Sequence, residues 1–208
     1  MAGLLSIYRT LTIAGKPLLA QFLRLREKRG KEDPNRIAER MGKASRTRPA
    51  GPLIWVHAAS VGEAQSALIL IDALGRSVNG VNVLVTTGTV TSAELMGKRL
   101  PPFAFHQFVP VDNPDWVRTF LDHWKPDLAL WMESELWPNM LTALKDRGVP
   151  LALVNARLSD KSFANWSMAK GFAAQIIGCF SLILAQTDKD AAHYRALGAS
   201  NAVVTDNI

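Results

Sequence analysis

The chain is short of cysteine, of phosphate-cradling glycine motifs and of long unbroken apolar runs, and each shortage excludes something. One cysteine, Cys179, stands in 208 residues. A lone thiol excludes an internal disulfide framework and reads as a protein of a reducing compartment. Its neighbourhood, AAQIIGCFSLIL, is apolar, which is the setting of a buried inert thiol rather than a nucleophile. Neither G-x-x-x-x-G-K-[ST] nor G-x-G-x-x-G occurs, so the P-loop and the dinucleotide fingerprint are missing. The histidines His57, His106, His123 and His193 are scattered without metal-ligand spacing, and one cysteine cannot build a zinc site. Ser60 stands in S-V-G-E rather than G-x-S-x-G, so the hydrolase nucleophile elbow is not matched. Hydride transfer, nucleotide hydrolysis and zinc chemistry fall away, and neither a metal nor a cofactor is expected.

The charge is lopsided. Residues 1–48 carry 12 Lys/Arg against 4 Asp/Glu, while residues 49–208 carry 12 against 14, so the net charge of +6 belongs to the N-terminal segment. That segment begins with an apolar run broken by Arg9, Lys16 and Pro17, too interrupted for a spanning helix. It also lacks the small-residue cleavage site of a secretory signal. Leu4, Leu5, Ile7, Leu11, Ile13, Leu18, Leu19, Phe22 and Leu23, followed by a Lys/Arg cluster, suit a helix lying in a membrane interface with its basic side chains on anionic head groups. The alternative is a helix packed on its own domain with a solvated basic end. Nucleic acid is not expected as a partner: between Arg24 and Arg48 there is no aromatic residue to stack on a base.

With 48% hydrophobic and 20% charged residues, the chain can build one sizeable core. There is no internal repeat or low-complexity tract. A polar connector, GKASRTRPAGP (Gly42 to Pro52), divides a basic amphipathic segment, 1–48, from a body, 49–208. In the body, strand patterns alternate with helix patterns. Strands are expected at Leu53–Val56, Val81–Val85, Phe103–Val109, Leu128–Met132, Leu151–Val154 and Leu182–Ala185. Helices are expected at Ala64–Leu74, Ser92–Lys98, Pro114–Trp124, Pro138–Arg147, Ser162–Ile177 and Lys189–Leu197. This alternation, with near-continuously apolar strands, predicts an α/β fold: a Rossmann-like, doubly wound parallel sheet with helices on both faces. The final NAVVTDNI reads as another strand entering a loop, and a second domain is expected beyond it.

The richest stretch is LIWVHAASVGE, Leu53 to Glu63: a buried strand, a tight turn and a helix start. In open α/β sheets, ligands bind at the carboxyl ends of the strands. Those ends would deliver Ser60, Gly62 and Glu63; Thr86, Thr87, Gly88 and Thr89; Glu133, Ser134 and Glu135; and Asn155 and Arg157. Glu63 has a structural reading too. Ser60-Val61-Gly62-Glu63 fits a capping box, with Glu63 bonding back to the Ser60 amide. Glu133 and Glu135 are close enough in sequence to perturb each other's ionisation; the alternative is that one caps the helix at Trp137–Pro138 and the other is solvated. Trp131 and Trp137 read as packing rather than as a sugar platform.

HAASVGE (His57–Glu63), TTGTVTS (Thr86–Ser92), PVDNP (Pro110–Pro114), MESELWPN (Met132–Asn139), NARLSDKS (Asn155–Ser162) and AQTDKDAAHYRALGA (Ala185–Ala199) stand in one order and spacing. From about Arg36 onward the chain resembles the N-terminal half of 3-deoxy-D-manno-octulosonic acid (Kdo) transferase, the lipid A glycosyltransferase of Gram-negative bacteria. The resemblance implies a GT-B architecture of two Rossmann-like domains, this one receiving the lipid A precursor and the other holding CMP-Kdo. It implies a metal-independent, inverting enzyme at the cytoplasmic face of the inner membrane. Carried over, Glu63 matches the catalytic base and Glu133 a second residue that assists the transition state. Ser60, Gly62, Thr87, Glu135 and Arg157 are expected to line the acceptor site, Arg157 as a phosphate contact. The family's last motif runs G-N-L-K, whereas here Asp206 replaces the glycine and Asn207-Ile208 follow. With that motif cut short and the donor-holding domain not among them, the 208 residues alone are expected to transfer no sugar. Two rival readings remain: a GT-B transferase with another lipid acceptor, and a non-catalytic membrane-associated Rossmann-like module.

Overall fold

The computed structural model describes residues 3–133 and 135–205. Asp206, Asn207 and Ile208, where the sequence departs from the G-N-L-K pattern, lie outside the described residues, as does Ser134.

Seven parallel strands form one sheet: β1 (Leu53–His57), β2 (Asn82–Thr87), β3 (Ala104–Phe108), β4 (Leu128–Met132), β5 (Leu151–Ala156), β6 (Leu182–Ala185) and β7 (Ala202–Val204). Their spatial order is β3-β2-β1-β4-β5-β6-β7. The chain runs outward from β1 to β3, returns to pair β4 with β1, and then runs outward on the other side. The order reverses between β1 and β4, and a crevice opens there at the carboxyl ends of the strands. The Rossmann-like, doubly wound sheet is the one expected: each predicted strand is found, β4 and β6 with the expected bounds, β1 and β5 longer at the carboxyl end, β2 shifted towards it and β3 shorter by a residue at each end.

Period-two alternation puts the core on both faces. Leu53 and Trp55 of β1 join Leu84, Trp131, Leu151 and Leu153 on one face, while Ile54 and Val56 join Val83, Val85, Met132 and Val154 on the other. Helices α3 (Val61–Ser77) and α4 (Val90–Arg99) cover the second face through Ala64, Ala67, Ile71 and Met96. Helices α5 (Pro114–Trp124), α6 (Pro138–Asp146), α8 (Lys170–Ile177) and α9 (Asp188–Ala196) cover the first. Cys179 is buried with that first face.

The expected single helix over Ser162–Ile177 is in fact two, α7 (Asp160–Ser167) and α8, because Ala169 leaves helical geometry at φ −126°, ψ 50°. The reason is burial. Helix α7 buries no residue, whereas α8 turns inward to bury Ala173, Ile176 and Ile177.

The basic N-terminal segment forms α1 (Leu4–Ala14), α2 (Lys16–Lys28) and a 3-10 turn, Ile37–Met41. Helix α1 buries no residue fully; Leu5 packs against the core, and polar bonds tie α1 and the start of α2 to the body. Tyr8 Oη donates to Asp112 Oδ2 (2.9 Å), Asn113 Nδ2 donates to the Thr12 carbonyl (2.6 Å), and Lys16 Nζ pairs with Asp115 Oδ2 (2.6 Å). Leu5 and Leu23 face inward, whereas Leu4, Ile7, Leu11, Leu18, Phe22 and Leu25 form an exposed stripe along α1 and α2. Among the described residues no helix is long and apolar enough to cross a membrane.

The 3-10 turn covers the edge strand β3, whose backbone would otherwise invite pairing by another chain. Glu39 Oε2 accepts from the Phe108 amide (2.7 Å), Arg36 Nη2 donates to the His106 carbonyl (3.1 Å), and Arg40 Nη1 donates to the Val109 carbonyl. Gly42 closes the turn at φ 79°, with its backbone against the Trp116 carbonyl.

Candidate active site

The crevice is built from backbone first. Ser60 caps α3, its Oγ accepting from the Glu63 amide (3.2 Å), and Thr89 caps α4 in the same way through Ser92. Two helix amino ends thus face the crevice, each bringing unpaired N–H groups and a partial positive charge. Glu63 lies in the first turn of α3 and is 8% exposed. Its Oε2 accepts from the Ala59 amide at 2.9 Å. This corrects the expected capping box by one residue: the carboxylate reaches past the cap to the amide before it.

Glu133 follows β4 directly. Its backbone is left-handed, φ 55°, and its amide still donates to the Val154 carbonyl (3.0 Å). A non-glycine residue seldom occupies that region without constraint from its surroundings, and such positions cluster at functional sites. Burial raises the Glu133 carboxyl above the ordinary carboxylate range, the charge of Glu63 raises it further, and Arg157 opposes both. Glu133 is therefore within electrostatic reach of both Glu63 and Arg157 at the reversal point of the sheet. Arg157 itself is exposed, two residues beyond Asn155. Asn155 is also left-handed, φ 56°, at the point where the β5–β6 register shifts. It is 4% exposed, and its side-chain Oδ1 has no hydrogen-bond partner.

Glu135 is braced rather than free. Its Oε2 accepts from Trp137 Nε1 (2.8 Å) and lies 3.7 Å from His57 Nε2, while its carbonyl accepts from Trp131 Nε1. Burial alone would raise its carboxyl, but His57, the Trp137 indole and Arg40 outweigh that and hold it below the usual range. Thr87 does not face the crevice. It is fully buried, and its Oγ1 bonds His106 Nε2 at 2.9 Å. Ser60 and Gly62 stand at the mouth, exposed, beside Glu63.

Beside these groups runs a cleft of ≈ 350 Å³, between the strand ends and the N-terminal segment. Ala59, Gly88, Thr89 and Glu135 line its floor, while Phe22 and Arg26 of α2 stand against it, with Arg40 and Trp137. Arg26 and Arg40 both pair with the buried Glu32, at 2.5 and 3.3 Å. Trp131 is core, as expected, whereas Trp137 is partly buried and forms cleft wall.

Sequence reasoning missed Arg40, His57 and the cleft wall formed by α2. Arg40 sits in a run of charges that resembles a solvated tail, and nothing local in the sequence announces its partner 69 residues away. The signal for His57 was present, since a polar residue closing an apolar strand is buried and needs partners.

Fold and crevice define a class: a Rossmann-like domain whose strand ends present carboxylates and a guanidinium at the reversal point. Solved structures of the same shape include the S. aureus MnaA–UDP co-structure, 16% identical with TM-score 0.55 over 76% of this chain and 45% of that one. UDP-N-acetylglucosamine 2-epimerase from Rickettsia bellii is 17% identical, with TM-score 0.53 over 75% and 45%. At such identities the likeness is one of fold alone.

The family is settled by sequence. The family model of 3-deoxy-D-manno-octulosonic-acid transferase (Kdo transferase) matches residues 35–208, and the chain belongs to that family. The 3-deoxy-D-manno-octulosonic acid transferase of Rickettsia bellii is 38% identical over 205 residues, covering 99% of this chain and 49% of that protein. The probable mitochondrial one of Arabidopsis thaliana is 38% identical over 95% of this chain and 45% of that protein. The Haemophilus influenzae protein is 33% identical over 92% and 45%. The chain spans about half the length of the curated relatives it matches.

Proposed function

We propose that this chain is the acceptor-binding half of an inverting GT-B glycosyltransferase that moves Kdo from CMP-Kdo to a lipid A precursor. The observation that carries the reading is Glu63, on the amino end of α3 in the switch-point crevice, beside Glu133 and Arg157. Glu63 takes the proton of the acceptor hydroxyl as that oxygen attacks the anomeric carbon of Kdo, and CMP leaves with the electrons of the broken bond. Glu133, raised by burial and by Glu63, holds a proton to higher pH than an ordinary carboxylate. A carboxyl that keeps its proton beside the base can divide the acid and base roles with it. Arg157 offers a planar pair of donors to an acceptor phosphate. CMP-Kdo is held by the other half of the enzyme, so the 208 residues by themselves transfer no sugar.

The same reading places the protein on the cytoplasmic face of the inner membrane. The outward apolar stripe of α1 and α2, flanked by the basic residues of 1–48, fits a bilayer surface with anionic head groups. No helix need cross it.

The test is Kdo transfer from CMP-Kdo to lipid A precursor by the intact protein, wild type against Glu63→Gln, with thermal unfolding of both. Glutamine keeps an oxygen for the Ala59 amide but cannot take a proton. Lost transfer at an unchanged melting temperature is expected. Retained transfer would return Glu63 to a capping role, and a wild type without transfer would refute the assignment.

A further inference from the structure

His57 ends β1 and is fully buried beneath the crevice, its ring 4.2 Å from that of Trp131. The hydrogen bonds around it are compatible with a proton on Nε2. Trp55 Nε1 lies 2.8 Å from Thr86 Oγ1, and an indole can only donate, so the threonine oxygen accepts there. The Thr86 hydroxyl proton is then available for His57 Nδ1, 2.9 Å away. With Nδ1 accepting, the proton of a neutral imidazole is on Nε2. That atom is buried and makes no hydrogen bond. The group in front of it is Glu135 Oε2, at 3.7 Å, just beyond hydrogen-bond length.

A buried N–H without an acceptor is costly, and a contraction of under an ångström would satisfy it. With Thr86 donating to Nδ1, the donors run in one direction, from Trp55 through Thr86 and His57 towards Glu135. Glu135 in turn holds Trp137, the cleft wall and the residue before α6, and lies in the connection that begins at Glu133.

We propose that His57 is a positioning residue for the transfer reaction. Through Glu135 it fixes the β4–α6 connection, and with it the aim of Glu133. This rests on the transferase reading above but not on the identity of the acceptor.

Three measurements on the intact protein test it. The first needs neither substrate nor variant: the ¹⁵N spectrum of the His57 ring. A neutral ring protonated on Nε2 is expected, and protonation on Nδ1 overturns the proposal. The second is hydrogen exchange at Trp137, which should quicken in His57→Phe and in Glu135→Gln, and no further in the double variant; unchanged exchange in either single variant overturns it. The third is a kinetic cycle on the same variants. Each single change should lower kcat by about tenfold to a hundredfold, the range of a lost hydrogen bond to a charged group, with little change in acceptor KM. The double variant should be no worse than the poorer single one, because both remove one interaction. His57→Gln, which can present an N–H from the same place, should recover most of the rate. Additive losses, or no recovery with glutamine, overturn the proposal. Should His57→Phe not fold, Thr86→Val removes the hydroxyl that sets the tautomer and serves in its place. A wild type that transfers no Kdo defeats the transferase reading, while the ring spectrum and hydrogen exchange still decide the role of His57.

Discussion

Acid should loosen this protein through His106, and the size of the effect follows from the structure. The ring lies between two partners. Arg36 Nη2 is 3.0 Å from Nδ1, and Thr87 Oγ1 is 2.9 Å from Nε2. A guanidinium can only donate, so Nδ1 accepts and the ring is neutral. Burial first, and then the Arg36 charge, bring its pKa down from 6.5 to about 3. In the unfolded chain the ring titrates near its ordinary value. The unfolded state therefore binds the extra proton first as pH falls. The stabilisation is complete above about pH 6.5 and is lost towards pH 3, by ~1.4 kcal/mol per pH unit within that window. Between pH 6.5 and pH 5 the loss is ~2 kcal/mol. His106→Gln removes the titration. Urea unfolding of both proteins from pH 7.5 to pH 5 measures it. The difference in unfolding free energy should be flat above pH 6.5 and change by ~2 kcal/mol by pH 5. Asp112 works in the opposite sense, because burial raises its carboxyl and its contribution grows as pH falls. It is common to both proteins and drops out of the difference. Parallel curves would refute the assignment of a buried neutral ring.

Three further outcomes are expected. Gly42→Ala puts a Cβ 2.0 Å from the Trp116 carbonyl oxygen at φ +79°, and should cost about 2 kcal/mol or more in a thermal melt; an unchanged melting temperature would mean that the turn is not packed there. Leu11→Asp with Leu18→Asp, at positions 65% and 70% exposed, should abolish co-sedimentation with anionic vesicles without lowering the melting temperature. Undiminished binding would rule the stripe out as the contact. The Cys179 thiol, pushed up to about 11 mainly by burial, should resist thiol reagents at pH 8 until the protein unfolds. Rapid labelling of the native protein would contradict its burial.

The sheet was legible because each strand carries its own signal. Trp55 and Val56 are apolar whichever face they turn to, and only a doubly covered parallel strand uses such a run. The crevice followed from the same logic, since strand ends in a parallel sheet converge whatever their order. What was not legible came from distant pairings. The Thr87 hydroxyl reads as a site group until His106, on the neighbouring strand, is seen to bond it. Glu135 reads as a free carboxylate until Trp137 and His57 close on it. The split between α7 and α8 was hidden because Met168 and Ala169 are good helix formers, and tertiary burial overrode that propensity. The left-handed backbone of Glu133 has no sequence signal at all, because glutamate is not a residue that favours it.

The manner in which α1 is attached has a geometric consequence. A helix packed by greasy side chains can roll about its axis and find new partners. This one is pinned by directional bonds of Tyr8 and Thr12 with the body, and it cannot rotate without breaking them. Its bare side therefore keeps a fixed compass bearing with respect to the strand ends. Whatever flat surface that side rests on meets the crevice at a single inclination, so molecules delivered from the surface arrive in one presentation rather than many.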